Sequence, residues 1–154
     1  MKNYDLIALG GTFDIIHKGH IELLKKAFSI SSKVIIGLTS DELASKKGKK
    51  ISHNYEKRLE SLKALLEKNF PNSSYQISKL ENDFGPAVIE GNVQALVVSK
   101  ETESQGDVLN KLRAKKNLSH VDVIVIPMVL AKDGKKISTT RIKKSEIDTD
   151  GNVL

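Results

Sequence analysis

The sequence predicts an α/β fold, with helices on both faces of a doubly wound, mainly parallel five-stranded sheet. Three observations carry that prediction. Short apolar runs alternate with longer stretches whose apolar residues recur every three or four positions, which is strand and helix in turn. The runs at 34–38 and 95–99 are apolar almost throughout, as in strands covered on both sides. A glycine pair closes the first run just before a helical pattern begins, the tight turn that a strand-to-helix unit needs. The 154 residues are expected to form one domain, 1–154, with a polar tail from about residue 145 that adds little to the core.

Residues 4–9 read as the first strand and residues 19–30 as a helix with Leu23, Leu24, Ala27 and Phe28 on one face. Ser31-Ser32 is expected to break that helix before the second strand at 34–38. Residues 39–52 read as a polar loop with Lys46, Lys47, Lys49 and Lys50, either a solvated face or an arm that closes over phosphates. The next helix spans about 54–69, with Tyr55, Leu59, Leu62, Leu65, Leu66 and Phe70 as its buried stripe. Arg58 sits near its start, poorly placed for the helix dipole, and is expected to pair with Glu56, Glu60 or a ligand. A third strand at 75–80, a turn at 82–86 and a short helix near 87–90 follow. The fourth strand is 95–99, followed by a polar loop to Gly106. The helix at 107–117 places Val108, Leu109 and Leu112 inward and Lys111, Lys115 and Lys116 outward. A fifth strand at 121–127, a turn at 131–136 and a last short helix opened by Ile137-Ser138-Thr139-Thr140-Arg141 complete the chain.

Composition narrows the partners. The net charge is +6 and there is no Cys, so neither a disulfide framework nor thiol chemistry is available, which fits a reducing cytoplasm. No apolar run is long enough to span a bilayer and no secretory leader is evident, so no membrane partner is expected. Four Phe, three Tyr and no Trp, none interleaved with the lysines, argue against a stacking platform for single strands. A basic nucleic-acid-binding module stays as an alternative of another class, and it predicts duplex affinity that falls steeply with salt. A phosphorylated small ligand is the leading reading of the positive charge.

The stretch from Leu9 to His20 supports that reading. Gly10 and Gly11 let a phosphate approach the backbone, and Thr12 adds a hydroxyl. His17 and His20 stand three residues apart where the helix begins near Gly19. The first N–H groups and the positive end of the dipole there would form an anion site. An ion shared by the two histidines is the other reading, but no third ligand lies beside them. Ser138, Thr139 and Thr140 at a second helix start are either ordinary caps or, with Arg141, a second anion contact. Ligands of such sheets bind outside the carboxyl ends of the strands, which puts both stretches and the loop from Ser99 on one rim.

These residues carry a family resemblance. Gly11-Thr12-Phe13-Asp14 with His17-Lys18-Gly19-His20, and Ile137-Ser138-Thr139-Thr140, resemble the H-x-G-H and I-S-S/T-T motifs of the nucleotidyltransferase superfamily, whose fold is Rossmann-like. Within it the chain resembles the phosphopantetheine adenylyltransferases of archaeal and eukaryotic type, through segments at 39–42, 55–59, 83–87, 97–102, 133–134 and 146–148. The family's Asp-Pro-Tyr-Gly-Pro reads Asn82-Asp83-Phe84-Gly85-Pro86 here. Cytidylyltransferases and FAD synthetases of the same superfamily are the nearest alternatives, although they tend to carry Arg-Thr-x-Gly where this chain has Asp133-Gly134-Lys135-Lys136.

The resemblance implies adenylyl transfer from ATP to 4′-phosphopantetheine, with Mg²⁺ carried on the nucleotide. It implies catalytic roles for His20, His17 and Thr12. ATP would meet Gly10, Gly11, Thr12, Phe13, His17, Gly19, His20, Ser99, Glu101, Thr102, Ile137, Ser138, Thr139, Thr140 and Arg141. The acceptor would meet Thr12, Lys49 and Arg58. Neither a protein-held metal nor a nucleic-acid partner is implied, and the oligomeric state is left open.

Overall fold

The computed structural model describes residues 3–85, 91–100 and 102–154. Strands β1 (Tyr4–Gly11), β2 (Ser31–Thr39), β3 (Ser74–Leu80), β4 (Ala95–Ser99) and β5 (Asp122–Ile126) form one sheet in the order β3-β2-β1-β4-β5. Every neighbouring pair is parallel, as the alternation of apolar runs and helical stripes predicts. The described helices are α1 (Lys18–Ile30), α2 (Asp41–Lys46), α3 (Tyr55–Asn69), α4 (Ser104–Lys115) and α5 (Thr139–Lys143). The chain winds outward from β1 to β2 and β3, then reverses to the other side of β1 for β4 and β5. That reversal opens a crevice at the carboxyl ends of β1 and β4.

Strand pleating sends alternate residues of β1 to opposite faces. Ile7 and Leu9 pack with Leu24, Ala27 and Phe28 of α1 and with Leu62 and Leu66 of α3. Burying each such leucine stabilises the fold by about 2 kcal/mol. Ala8 packs on the other face with Ile35, Leu96 and Leu109, under α4. Gly106 lets α4 lie close, because a Cβ there would stand 2.4 Å from the Val123 side chain.

Several boundaries differ from the sequence reading, each for a local reason. No break separates α1 from β2. Ser31 is extended and pairs with Tyr4, and its hydroxyl donates to the Lys33 carbonyl at 2.7 Å. The expected polar loop after β2 begins instead with α2. Ser40 caps it by accepting the Leu43 N–H at 3.0 Å, Asp41 and Glu42 favour its first turn, and Leu43 and Ala44 are buried. Helix α4 begins at Ser104, and it buries Gly106, Leu109 and Arg113 with Leu112 packed beside them, while Val108 is 48% exposed. The tail contributes to the core after all. Ile147 is 0% exposed against Ala131 and Ile137, and residues 147 and 153 bridge. Gly151 closes that turn at φ +84°, where a Cβ would meet the Ala131 backbone at 3.0 Å. The short helix expected near 87–90 lies outside the described residues. Among the described residues, no helix is long and apolar enough to cross a membrane.

Candidate active site

The turn from β1 into α1 is built around its own histidines. His17 is the N-cap residue, and its Nδ1 accepts the Gly19 N–H at 3.0 Å. His20, three residues on, returns its Nδ1 to the His17 N–H at 3.2 Å, so the two rings complete a reciprocal capping box. Both Nδ1 atoms are therefore acceptors, and each neutral ring carries its proton on Nε2. The rings stack with centroids 4.0 Å apart, and Phe13 lies 4.9 Å from His20. Burial lowers the His17 pKa to about 4. Burial, with a smaller contribution from His17, lowers that of His20 to about 3. Both are neutral N–H donors at neutral pH.

Glycine at position 19 makes room for this stack, since a Cβ there would stand 2.8 Å from the His17 ring. Phe13 is held at φ +50°, an unusual conformation for a bulky residue, with its ring sealed in the core.

The expectation of free backbone N–H groups at this helix start is corrected. Lys18 N donates to the Thr149 carbonyl at 2.9 Å, Gly19 N to the His17 ring, and His20 N to the His17 carbonyl at 3.0 Å. What the α1 tip offers an anion is the pair of imidazole N–H groups and the end of a 13-residue dipole.

Helix α5 reaches the same turn from the other end of the chain. The Thr139 hydroxyl donates to the Ile15 carbonyl at 3.4 Å. Ser138 is the N-cap and accepts the Arg141 N–H at 3.2 Å. The N–H groups of Thr139 and Thr140 have no partner among the described residues. Arg141 is held by Asp133, by Glu146 at 3.1 Å and by the Lys136 carbonyl at 2.8 Å, which ties its guanidinium to the chain instead of presenting it to a ligand. Ile137 likewise packs its side chain into the small core with Ala131 and Ile147.

On the other flank, Lys49 Nζ donates to Thr12 Oγ1 at 3.1 Å. Burial, with repulsion from Lys47 second, lowers the Lys49 pKa. Arg58 reaches Thr12 from the interior, at its carbonyl. Its side chain is 0% exposed and donates to the carbonyls of His53 at 3.0 Å, Thr12 at 2.9 Å and Thr39 at 2.7 Å, and to Asp41 Oδ1 at 2.7 Å. The Arg58 contact in turn holds the Asp41 carboxyl below its usual range. The expectation that Arg58 meets the acceptor is thus corrected: it braces the carbonyls at the ends of β1 and β2. Removing it would orphan buried acceptors at about 1–3 kcal/mol each.

After β4, Ser99 and Thr102 stand at the strand end with their hydroxyls 3.1 Å apart, and Thr102 Oγ1 accepts the Ser99 N–H at 3.1 Å. Glu101, expected to contact ATP, lies outside the described residues.

Beside Gly10, on the sheet face away from α1, lies a cavity of about 270 Å³ walled by Ala8, Ile35, Gly37, Leu80, Phe84 and Leu96, with Gln76, Ser78, Lys79 and Asp83 as polar groups. Gly10 and Gly37 are register partners, and a Cβ on Gly37 would stand 2.6 Å from Leu80. Gly10, in the wall of this hollow, stands two residues before Thr12 at the same strand end.

The cytidylyltransferase-like family model matches residues 8–145. A phosphopantetheine adenylyltransferase of Methanothermobacter thermautotrophicus is 39% identical over 153 residues, spanning 99% of this chain and 92% of its own. Another, of Pyrococcus horikoshii, is 41% identical over 157 residues, spanning 100% of this chain and 98% of its own. This chain belongs to the phosphopantetheine adenylyltransferase family. A solved protein of unknown function from Archaeoglobus fulgidus superposes with a TM-score of 0.72 at 24% identity, covering 87% of this chain and 99% of that one, which shows a shared fold.

Two groups in this member of the phosphopantetheine adenylyltransferase family escape a reading of the sequence. Asp14 is 8% exposed and accepts from Ser52 N, His53 N and Lys143 Nζ. Lys143, two residues past Arg141, is the basic group of α5 that faces the β1–α1 turn. The only sequence sign was an acid flanked by Phe13 and Ile15, an apolar setting in which a carboxylate needs partners.

Proposed function

We propose that this chain transfers the adenylyl group of ATP to 4′-phosphopantetheine, giving dephospho-coenzyme A and pyrophosphate. An oxygen of the acceptor phosphate attacks the α-phosphorus. The bond from that phosphorus to the oxygen bridging the α- and β-phosphates breaks, and pyrophosphate leaves with the electron pair. The acceptor phosphate is ionised near neutral pH, so no general base is needed and catalysis is positioning plus charge stabilisation.

His20 Nε2–H donates to the α-phosphate as its charge grows, and His17 Nε2–H to the β- or γ-phosphate. Thr12 orients the attacking phosphate, whose charge Lys49 offsets. Thr139 and Thr140, through main-chain N–H groups, hold the departing pyrophosphate. Gly10, Gly11 and Gly19 give the triphosphate close approach, and the backbone of Phe13, Ile137 and Ser138 frames it. Ser99, Thr102 and Glu101 form the adenine side. The apolar cavity beside Gly10 suits the pantetheine arm, with its methyl groups and amides.

The donors around the triphosphate are imidazole, hydroxyl, amide and ammonium groups. Among the described residues, no group of three or more His, Cys, Asp or Glu side chains is arranged to hold an ion. This donor set fits Mg²⁺ that arrives on the nucleotide's own oxygens, where it neutralises phosphate charge. A cytoplasmic place in coenzyme A synthesis goes with this reading.

The observation that supports the reading is the docking of Thr139 on Ile15, which sets the start of α5 against the turn that leads into α1. The test is pyrophosphate release from ATP or CTP with 4′-phosphopantetheine, FMN or glycerol 3-phosphate as acceptor. Release confined to ATP with 4′-phosphopantetheine is expected. Release from CTP, or from ATP with FMN alone, would move the chain elsewhere in its superfamily.

A further inference from the structure

Asp14 has no part in the chemistry above, yet it is the one acidic side chain buried among the described residues. Its Oδ2 accepts the Ser52 N–H at 2.8 Å and Lys143 Nζ at 2.5 Å, and its Oδ1 accepts the His53 N–H at 3.0 Å. His53 Nδ1 lies 3.1 Å from the Asp14 carbonyl and 3.3 Å from Oδ1. Lys143 Nζ also donates to the Lys50 carbonyl at 2.8 Å. These partners hold the Asp14 carboxyl below its usual range against the opposing effect of burial.

The contacts converge on the connection between α2 and α3, which is neither helix nor strand and whose residues 48–50 are exposed. Lys50, Ser52 and His53 are each pinned to Asp14 or Lys143. Lys49, one residue before the first of these, puts its ammonium on Thr12 Oγ1. A four-carbon side chain has many rotamers, so a fixed backbone is what makes that one position populated.

We propose that Asp14 and Lys143 form a positioning pair that clamps residues 50–53 to the β1–α1 turn and thereby sets where the Lys49 ammonium stands. Lys143 belongs to the leaving-group helix but governs the acceptor phosphate. The inference rests on the reading of Lys49 as the acceptor-side cation. It adds that α5 and the lysine connection are coupled through one buried carboxylate, so a ligand that orders either one favours the other.

The test uses the full chain carrying Lys143→Met, Lys143→Arg or Asp14→Asn, each also combined with Lys49→Met. Loss of one charge-assisted contact to phosphate raises the KM for 4′-phosphopantetheine about tenfold in Lys143→Met, with the KM for ATP changed less than about twofold. Lys143→Arg recovers most of that loss. In the background of Lys49→Met, Lys143→Met adds less than about twofold, because it acts through Lys49.

A second readout does not depend on the reaction. Trypsin cuts at Lys46 to Lys50 faster in Lys143→Met and Asp14→Asn than in the parent, as local opening becomes easier. Unchanged cutting would overturn the clamp whatever the enzyme's substrate. A KM rise for ATP, or losses from Lys49→Met and Lys143→Met that multiply, would also overturn it. Faster cutting in these variants, together with a parent chain that releases no pyrophosphate from ATP and 4′-phosphopantetheine, would overturn the functional reading and leave the clamp standing.

Discussion

The starts of α1 and α5 present donors to the same crevice in opposite ways. At α1 the main-chain N–H groups of residues 18–20 are consumed within the chain, and the side-chain Nε2–H groups of His17 and His20 are left over. At α5 the side chains are consumed. Ser138 caps, Thr139 docks on Ile15 and Arg141 is locked to Asp133 and Glu146, while the N–H groups of Thr139 and Thr140 remain. Length accompanies the difference. Helix α1 has 13 residues and a usable dipole, whereas α5 has five and supplies little beyond individual donors. Two similar-looking stretches of sequence thus fail differently. The first is sensitive to what its side chains are, the second to where its backbone lies.

Three substitutions or conditions break or sharpen that contrast. The largest effect falls on a side chain at the α1 tip: His20→Ala lowers turnover about a hundredfold, the scale of one lost transition-state donor. Turnover within threefold of the parent, in a variant with parental circular dichroism, would remove His20 from the mechanism.

A smaller effect isolates main chain from side chain at α5. Thr139→Ala removes only the hydroxyl, whereas Thr139→Pro removes the N–H as well. Ser138 is already extended at φ −148° and ψ 155°, so a proline at the first helical position fits. Turnover of Thr139→Pro is expected about tenfold below that of Thr139→Ala. Equal rates would show that the main chain there holds nothing.

A third effect is on stability, and it titrates the two histidines of the α1 tip. Above about pH 7 neither the folded nor the unfolded chain protonates His17 or His20. Below about pH 6.5 the unfolded chain takes up protons that the folded chain, with pKa values of about 4 and 3, refuses. Stability is therefore lost as the pH falls, by roughly 1 kcal/mol per pH unit for each histidine. Urea midpoints between pH 7 and pH 5 measure this above the range where carboxylates such as Asp14 begin to protonate. A flat profile would mean that the rings are not buried neutral.

Much of this was legible in the sequence. The parallel five-stranded sheet follows from the alternation of apolar runs with helical stripes, and Leu62 and Leu66 read as core from their spacing alone. His17 and His20 stood out as two histidines three apart at a helix start, and Lys49 only through the family resemblance. Arg58 was not. Nothing in a helical repeat says that a guanidinium will turn inward to brace the carbonyls of Thr12 and Thr39. Helix α2 was hidden by its lysines, although Ser40 followed by Asp41-Glu42 is a legible start signal. Ile147 was hidden by polar neighbours, since a single apolar residue in a tight turn has no period to reveal it.

The bond from the Thr139 hydroxyl to the Ile15 carbonyl joins residues 124 apart. During synthesis the histidine turn leaves the ribosome long before its partner is made. Until residues 139–149 arrive, the turn lacks both the second set of donors and the Thr149 carbonyl that steadies Lys18. A half-made chain therefore carries an unfinished turn, which is completed only when the last residues have been made.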